Sequence, residues 1–331
     1  MRTITVVGCH AGGEVGNVVV DGVPPPPGAT VLEQMQALRA DDSLRRFLLR
    51  EPRGSVATHA NLIVPATRDD CAFGYIIMEP TEYPLMSGSN TICVATVLLE
   101  TGRVAMDEPE TVLRLEAPAG VVEIRATCRG GRVESVELTN VPSLATQLDA
   151  VLDVEGLGAI TIDIAYGGMW YAIADAADLG FAIEPHEARA LCEVGEHIRL
   201  AAKRQLDERV SIVQIAEPWQ GVDRVTRNAV VIAPGRLDRS ATGTGLSARM
   251  AVLHARGLMN VGDAMTHASA IGSTFDGRIV AETTVGDYAA IVPAIRGSAF
   301  ITGTTELYVD PDDPFPEGYL LSDTWPGDDV Q

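Results

Sequence analysis

Two short segments carry the residue types that can do chemistry. Ser87-Gly88-Ser89-Asn90 and Thr242-Gly243-Thr244-Gly245 each set a hydroxyl residue and a glycine before a run of helical character. A helix start presents N–H groups that no preceding turn can satisfy, and the helix dipole places partial positive charge there. Each segment therefore predicts a seat for a small anion such as a carboxylate or phosphate. Taken singly, either hydroxyl reads as an N-cap, a position that serine and threonine favour. Taken together they predict one shared anion, held by the N–H groups of Gly88, Ser89, Gly243 and Thr244. Ser87 and Thr242 would then approach it from opposite sides, with Asn90 also at the site.

What couples the two segments is an internal repeat. Laid over each other, SGSNTICVATVLLETG (from Ser87) and TGTGLSARMAVLHARG (from Thr242) match hydroxyl to hydroxyl and glycine to glycine, at an offset of 242 − 87 = 155. The same 155 carries Gly12-Gly13 onto Gly167-Gly168 and GRVESVELTNV (from Gly131) onto GDYAAIVPAIR (from Gly286). A period of half the chain signals a duplicated domain, since solenoid repeats are far shorter.

The elements that must position these residues follow from local pattern. VVEIRAT, RVESVELTNV, RNAVVIAPG, RIVAETTV and YAAIVPAI alternate or run β-branched between glycine turns, which predicts strands. Helices are predicted at Asn90–Thr101 and Gly245–Arg256, each ended by a C-cap glycine (Gly102, Gly257), and at Val31–Leu38, Leu44–Leu49 and Glu187–Leu206. The fold expected is α+β: two pseudo-symmetric mixed α/β domains from the duplication, with the active site in the cleft between them. The halves are placed at 1–150 and 151–310, followed by an irregular proline- and aspartate-rich tail at 311–331 that can pack back on the first half.

Composition narrows the partners. The 331 residues carry 45 acidic against 25 basic side chains, a net charge of −20, which repels phosphate backbones and anionic lipid. Nucleic acid and membrane are therefore not expected. Lys203 is the only lysine and lies in a polar run, which argues against pyridoxal phosphate chemistry. Five scattered cysteines without a CxxC pair read as reduced core residues of a cytoplasmic protein, and the six histidines lack metal-ligand spacing, so no metal is expected. Cys93, about 240° around and roughly 9 Å along the helix from Ser87, belongs to the core. His59 reads as packing, His254 as a carbonyl cap, and Asp310–Asp313 as a solvated turn. Trp170 and Tyr171 read either as core or as an apolar wall for a ring.

Several motifs, in order along the chain, then resemble the proline racemase family. MSGSNTICVATVLLETG resembles its MCGHN-type helix start, and RNAVVIAPGRLDRSATGTGLSARMAVLHARG resembles its DRSPCGTGTSA segment. HAGGE at 10–14, EPRG at 51–54, YGGMWYAIADA at 166–176 and ITGTTELYVDPDDPF at 301–315 are further landmarks. The resemblance implies a diaminopimelate epimerase-like pair of domains and cofactor-free chemistry at the Cα–H of a proline-type substrate. It implies Ser87 and Thr242 at the positions of the two catalytic cysteines, and Asp238 receiving the ring amine. Gly88, Ser89, Gly243 and Thr244 would hold the carboxylate.

Three departures from the pattern matter: both cysteines are replaced, the usual histidine is Ser89, and the proline before the second cysteine is Ala241. A thiol titrates near pKa ~8.5, whereas an alkyl hydroxyl is a far weaker acid and a poor two-way proton shuttle. Threonine at the second position resembles trans-3-hydroxy-L-proline dehydratases. Serine at the first resembles members that epimerise 4-hydroxyproline and dehydrate 3-hydroxyproline. The expected activity is dehydration of trans-3-hydroxy-L-proline to a cyclic imine, with Ser87 taking the Cα proton and Thr242 assisting departure of the hydroxyl. 4-Hydroxyproline 2-epimerase or proline racemase is the alternative, and a catalytically weak amino-acid-binding homologue a third. The partners expected are a small imino acid and, as an option, a second copy of the chain in a homodimer.

Overall fold

The computed structural model describes residues 2–222 and 224–325; residues 326–331 of the expected tail lie outside the described residues. The chain divides into two compact units, Met1–Leu138 with Gly297–Gln331, and Thr139–Arg296.

The first unit contains β1 (Arg2–Ala11), β2 (Glu14–Asp21), α1 (Val31–Ala40), α2 (Ser43–Leu49), β3 (Thr58–Val64), β4 (Phe73–Met78), α3 (Gly88–Glu100), β5 (Glu110–Ala117), β6 (Gly120–Arg129) and β7 (Arg132–Thr139). The second contains β8 (Leu144–Val154), β9 (Gly158–Tyr166), β10 (Trp170–Asp175), α4 (Ala188–Gln205), β11 (Ile212–Ala216), β12 (Val225–Ile232), β13 (Arg236–Leu237), α5 (Gly243–Ala255), β14 (Ala264–Ala268), β15 (Thr274–Val285) and β16 (Tyr288–Gly297). The last strand, β17 (Ala299–Val309), returns to the first unit and pairs antiparallel with β1, Arg2 opposite Val309.

The strand orders are β17-β1-β2-β3-β4-β5-β6-β7 and β8-β9-β10-β11-β12-β14-β15-β16. Each series runs through the same succession of pairings: antiparallel, antiparallel, parallel, antiparallel, parallel, antiparallel, antiparallel. Adding 155 to Gly88–Glu100 gives 243–255, the bounds of α5, and adding it to 144–154 gives 299–309, the bounds of β17. A division at 150 would cut β8 in two. Because β8 pairs with β9 while its repeat partner β17 pairs with β1, the first unit is closed by the chain's other end.

Both units are built around a buried central helix. From Gly88 to Leu99 every residue of α3 is buried, and α5 is buried over nearly its whole length. A helix apolar on all sides can only sit inside a core. α3 lies against β1, β2 and β17, and α5 against β8, β9 and β15. Fully burying each of Ile92, Val97 and Leu98 stabilises by roughly 1.5–3 kcal/mol. Gly102 and Gly257 follow the helices with φ of 70° and 71°, the left-handed geometry that ends a helix and that glycine adopts without strain. On the other side of the first sheet, α1 and α2 cover Ile4, Val19, Leu62 and Ile76; in the second unit α4 covers Leu152, Ile164, Val213 and Val231. Among the described residues no helix is long and apolar enough to cross a membrane.

Cys9, Cys93 and Cys128 are buried, but Cys71 and Cys192 are only half-buried, so the cysteines are not all core residues. Arg53 of the EPRG segment holds part of the tail: its guanidinium lies 2.9 Å from Asp313 and donates to the Phe315 carbonyl at 2.7 Å. Asp313 is therefore not merely solvated, whereas Asp310 and Asp312 are exposed, as a solvated turn requires.

A buried histidine on β14 makes stability pH-dependent. Burial, reinforced by the positive charge of Arg249, lowers the pKa of His267 to about 3. The unfolded chain takes up a proton there below pH ~6.5 while the folded protein does not, so stability falls as pH drops through 6.5 and keeps falling towards 3. Between pH 6.5 and 5 this one group is expected to cost about 2 kcal/mol. Urea-unfolding midpoints across that window measure it, and His267→Leu should flatten the slope.

Candidate functional site

Ser87 stands at the N-cap of α3 in extended backbone (φ −148°, ψ 127°), and its side chain caps no helix N–H. The first intrahelical bond runs from Thr91 N–H to the Ser87 carbonyl (3.0 Å), so the N–H groups of Gly88, Ser89 and Asn90 precede it. Asn90 is 1% exposed. Its side chain turns into the unit, where Nδ2 donates to Ser87 Oγ at 3.0 Å and Oδ1 accepts from Asn61 Nδ2 at 2.9 Å. Gly16 makes room for this amide: a Cβ there would sit 2.9 Å from Asn90 Oδ1 and 3.0 Å from Cys93 Sγ. Gly16→Ala is thus expected to displace Asn90 and lower turnover more than it lowers the unfolding temperature, a comparison that kinetics and thermal melts provide.

Behind Asn90 lies a polar cluster that sequence reasoning missed. His59, 3% exposed, is 3.1 Å from Asn90 Nδ2 through Nδ1 and 3.3 Å from Glu14 Oε1 through Nε2. Glu79 Oε1 stands 3.5 Å from His59 Nδ1 and 3.4 Å from Asn90 Nδ2. His59 is therefore not simply packed, as its place in an apolar run suggests. The available signal was chemical: a histidine and an asparagine two residues apart in THANLIV share one face of a strand.

Thr242 holds the matching position before α5, but in different surroundings. Its backbone sits at φ 57°, ψ 101°, a strained conformation for a β-branched residue and one that clusters at functional sites. Thr242 Oγ1 donates to Asp238 Oδ2 at 2.8 Å, and Asp238 Oδ1 accepts from Ser240 N–H at 2.8 Å. Thr242 N–H bonds to Ser240 Oγ at 3.1 Å, which anchors the strained turn. The N–H groups of Gly243, Thr244 and Gly245 precede the first intrahelical bond, from Leu246 N–H to the Thr242 carbonyl at 2.9 Å. The Thr244 side chain faces inward, its hydroxyl 2.6 Å from the buried Tyr171 hydroxyl. Tyr171 is thus core, while the half-buried Trp170 stacks under Arg209 at 3.8 Å. Cys93 is core, and His254 Nδ1 lies 2.9 Å from the Met259 carbonyl.

The two hydroxyls are therefore supported unequally. Ser87 Oγ receives an N–H, whereas Thr242 Oγ1 gives its proton to a carboxylate. At the positions 155 residues on from His59 and Asn90, the second unit has Gln214 and Gly245, which cannot reproduce the cluster.

Comparison with known proteins locates this architecture. A hydroxyproline epimerase from Agrobacterium vitis, solved with bound trans-4-OH-L-proline, is 39% identical, with a TM-score of 0.92 over 98% of this chain and 97% of that one. A probable proline racemase from Agrobacterium radiobacter K84, solved with bound carbonate, is 41% identical, with a TM-score of 0.91 over 97% of this chain and 98% of that one. A Bacillus anthracis phenazine biosynthesis protein of the PhzF family shares the fold alone, at 11% identity and a TM-score of 0.62 over 93% of this chain and all of that one. The family profile named Proline racemase matches residues 6–320. Matched over nearly its whole length, the chain belongs to the proline racemase family.

Proposed function

We propose that the protein dehydrates trans-3-hydroxy-L-proline. The observation that carries this reading is the unequal support of the two hydroxyls. Racemisation needs two flanking groups that give and take a proton with comparable ease; elimination needs one base and one hydrogen-bond donor. Thr242, backed by the Asp238 carboxylate at 2.8 Å, is the better base. Ser87, whose oxygen accepts from Asn90 Nδ2 at 3.0 Å, is the better donor, because an accepted hydrogen bond polarises its own O–H. This allocation reverses the one expected from residue types alone.

In this scheme Thr242 takes the Cα proton as its own proton passes to Asp238. The C–H electron pair forms the C2=C3 bond, and the 3-hydroxyl leaves as water with the Ser87 proton. The enamine tautomerises to the cyclic imine, and solvent returns a proton from Asp238 to Ser87. The substrate carboxylate is held by the N–H groups of Gly88, Ser89, Gly243 and Thr244, and its ring amine by the second lone pairs of Asp238. No cofactor enters these steps.

A second reading, 2-epimerisation of 4-hydroxyproline, is favoured by the 39% identity to an epimerase solved with trans-4-OH-L-proline. A screen of the proline, 3-hydroxyproline and 4-hydroxyproline isomers, with detection of both epimer and cyclic imine, separates the two. Thr242→Cys should raise epimerase activity, since a thiol can return the proton it takes; an unchanged ratio of epimer to imine contradicts this. A thermal shift with no exchange of the Cα proton identifies a binding protein instead.

A further inference from the structure

The contacts behind Ser87 orient the amides of Asn61 and Asn90 and, through them, His59. The Asn17 carbonyl oxygen, which can only accept, lies 3.3 Å from Asn61 Nδ2. That fixes the Asn61 amide and makes its Nδ2 the donor to Asn90 Oδ1, at 2.9 Å. The Asn90 amide is fixed in turn, with its Nδ2 facing Ser87 and His59. One of its two N–H bonds goes to Ser87 Oγ at 3.0 Å; the other is shared between His59 Nδ1 at 3.1 Å and Glu79 Oε1 at 3.4 Å. His59 Nδ1 also lies 3.5 Å from Glu79 Oε1, but the Asn90 N–H is nearer at 3.1 Å, and a ring nitrogen that accepts this N–H carries no proton of its own. His59 is then left to donate from Nε2 to Glu14 Oε1, 3.3 Å away.

We infer that His59 is a positioning residue: a neutral, Nε2-protonated imidazole that holds the Asn90 amide so that its N–H stays on Ser87 Oγ. The inference rests on the proposed dehydration, in which Ser87 gives its proton to the leaving hydroxyl, and it deepens that reading by naming what makes Ser87 the donor. His59 touches no reacting atom; it acts through Asn90. An imidazole protonated at Nδ1 would set N–H against N–H across the 3.1 Å contact and release the amide. The arrangement belongs to the first unit alone, since in the second Gly245 replaces Asn90 and Gln214, in place of His59, reaches Asn228 Oδ1 at 3.4 Å. The duplication also suggests a conservative replacement. A glutamine at 59 offers a carbonyl to accept from Asn90 and an amide N–H for Glu14; a leucine offers neither.

Two measurements test this. Long-range proton–nitrogen correlation on uniformly 15N-labelled protein at pH 8, with the His59 signals assigned by their loss in His59→Gln, should show the neutral Nε2-protonated tautomer. An Nδ1-protonated or doubly protonated ring overturns the inference, whatever the enzyme turns over. In the kinetic arm, His59→Leu should lower kcat about tenfold or more, the rate equivalent of one lost oriented hydrogen bond, with KM nearly unchanged. His59→Gln should restore most of that loss. Equal losses in the two folded variants, or no loss in either, overturn it as well. If the wild-type protein converts no proline isomer, the proposed function fails while the tautomer measurement still decides this inference.

Discussion

Replacing Thr242 with valine is expected to lower turnover of trans-3-hydroxy-L-proline by about three orders of magnitude, the range lost when a general base is removed. Valine keeps the β-branched shape that fills the strained turn at φ 57°, so folding and substrate affinity should change little. What disappears is the Oγ1–H that reaches Asp238 Oδ2 at 2.8 Å. Asp238→Asn should act in the same direction, because the amide cannot take the proton that Thr242 must pass on. Ser87→Ala should cost less, since water can protonate a leaving hydroxyl where it cannot replace a held base. Kinetic constants for the three variants, with substrate affinity measured by calorimetry, check the order. A Ser87→Ala loss larger than that of Thr242→Val returns the proton-abstracting role to Ser87.

The second large effect is structural. A Cβ on Gly167 would lie 2.1 Å from the Thr244 carbonyl oxygen and 2.5 Å from Ala248 N, both backbone atoms of α5. No side-chain rotation relieves that overlap, so the first turn of α5 must move, carrying the N–H groups of Gly243 and Thr244 with it. Gly167 is also tied down on its other face, its carbonyl accepting from Asn140 Nδ2 at 2.8 Å. Gly167→Ala should therefore cost about 3 kcal/mol or more and lower the unfolding temperature by about 10 °C, with loss of substrate affinity in whatever remains folded. Gly277→Ala is the fitting comparison. Its Cβ would meet side-chain atoms and no backbone, Met250 Cε at 2.8 Å and Leu246 Cδ2 and Cγ both at 2.9 Å. Equal tolerance of the two substitutions would mean that Gly167 does not set the position of α5.

These residues also mark what could be read from the sequence. Hydroxyl–glycine pairs, terminal glycines and one repeated offset located α3 and α5, because a helix start and a helix stop are written in residues a few positions apart. The Gly-Gly pairs registered as anchors of the repeat, though not as the close approach of Gly167 to α5, which depends on an interatomic distance. The pairing of β17 with β1 was hidden because its hydrogen bonds join the two ends of the chain. The cluster of Glu14, His59, Asn61, Glu79 and Asn90 was hidden for a similar reason. Its members come from three neighbouring strand segments and a helix start, and no periodicity along one segment brings them together. His59 lies within an apolar run, so local pattern pointed to packing; what sets its chemistry is a carboxylate 45 positions earlier and an amide 31 positions later. The strain at Thr242 was likewise invisible, since residue type alone predicts an ordinary N-cap.

The most direct test of the central claim follows trans-3-hydroxy-L-proline by proton NMR during incubation with the protein in D2O. The account predicts that the Cα–H signal disappears in step with formation of the cyclic imine, that the imine carries deuterium at C3 from tautomerisation, and that no 2-epimer builds up. Accumulation of Cα-deuterated epimer without imine, from this substrate or from 4-hydroxyproline, would contradict it.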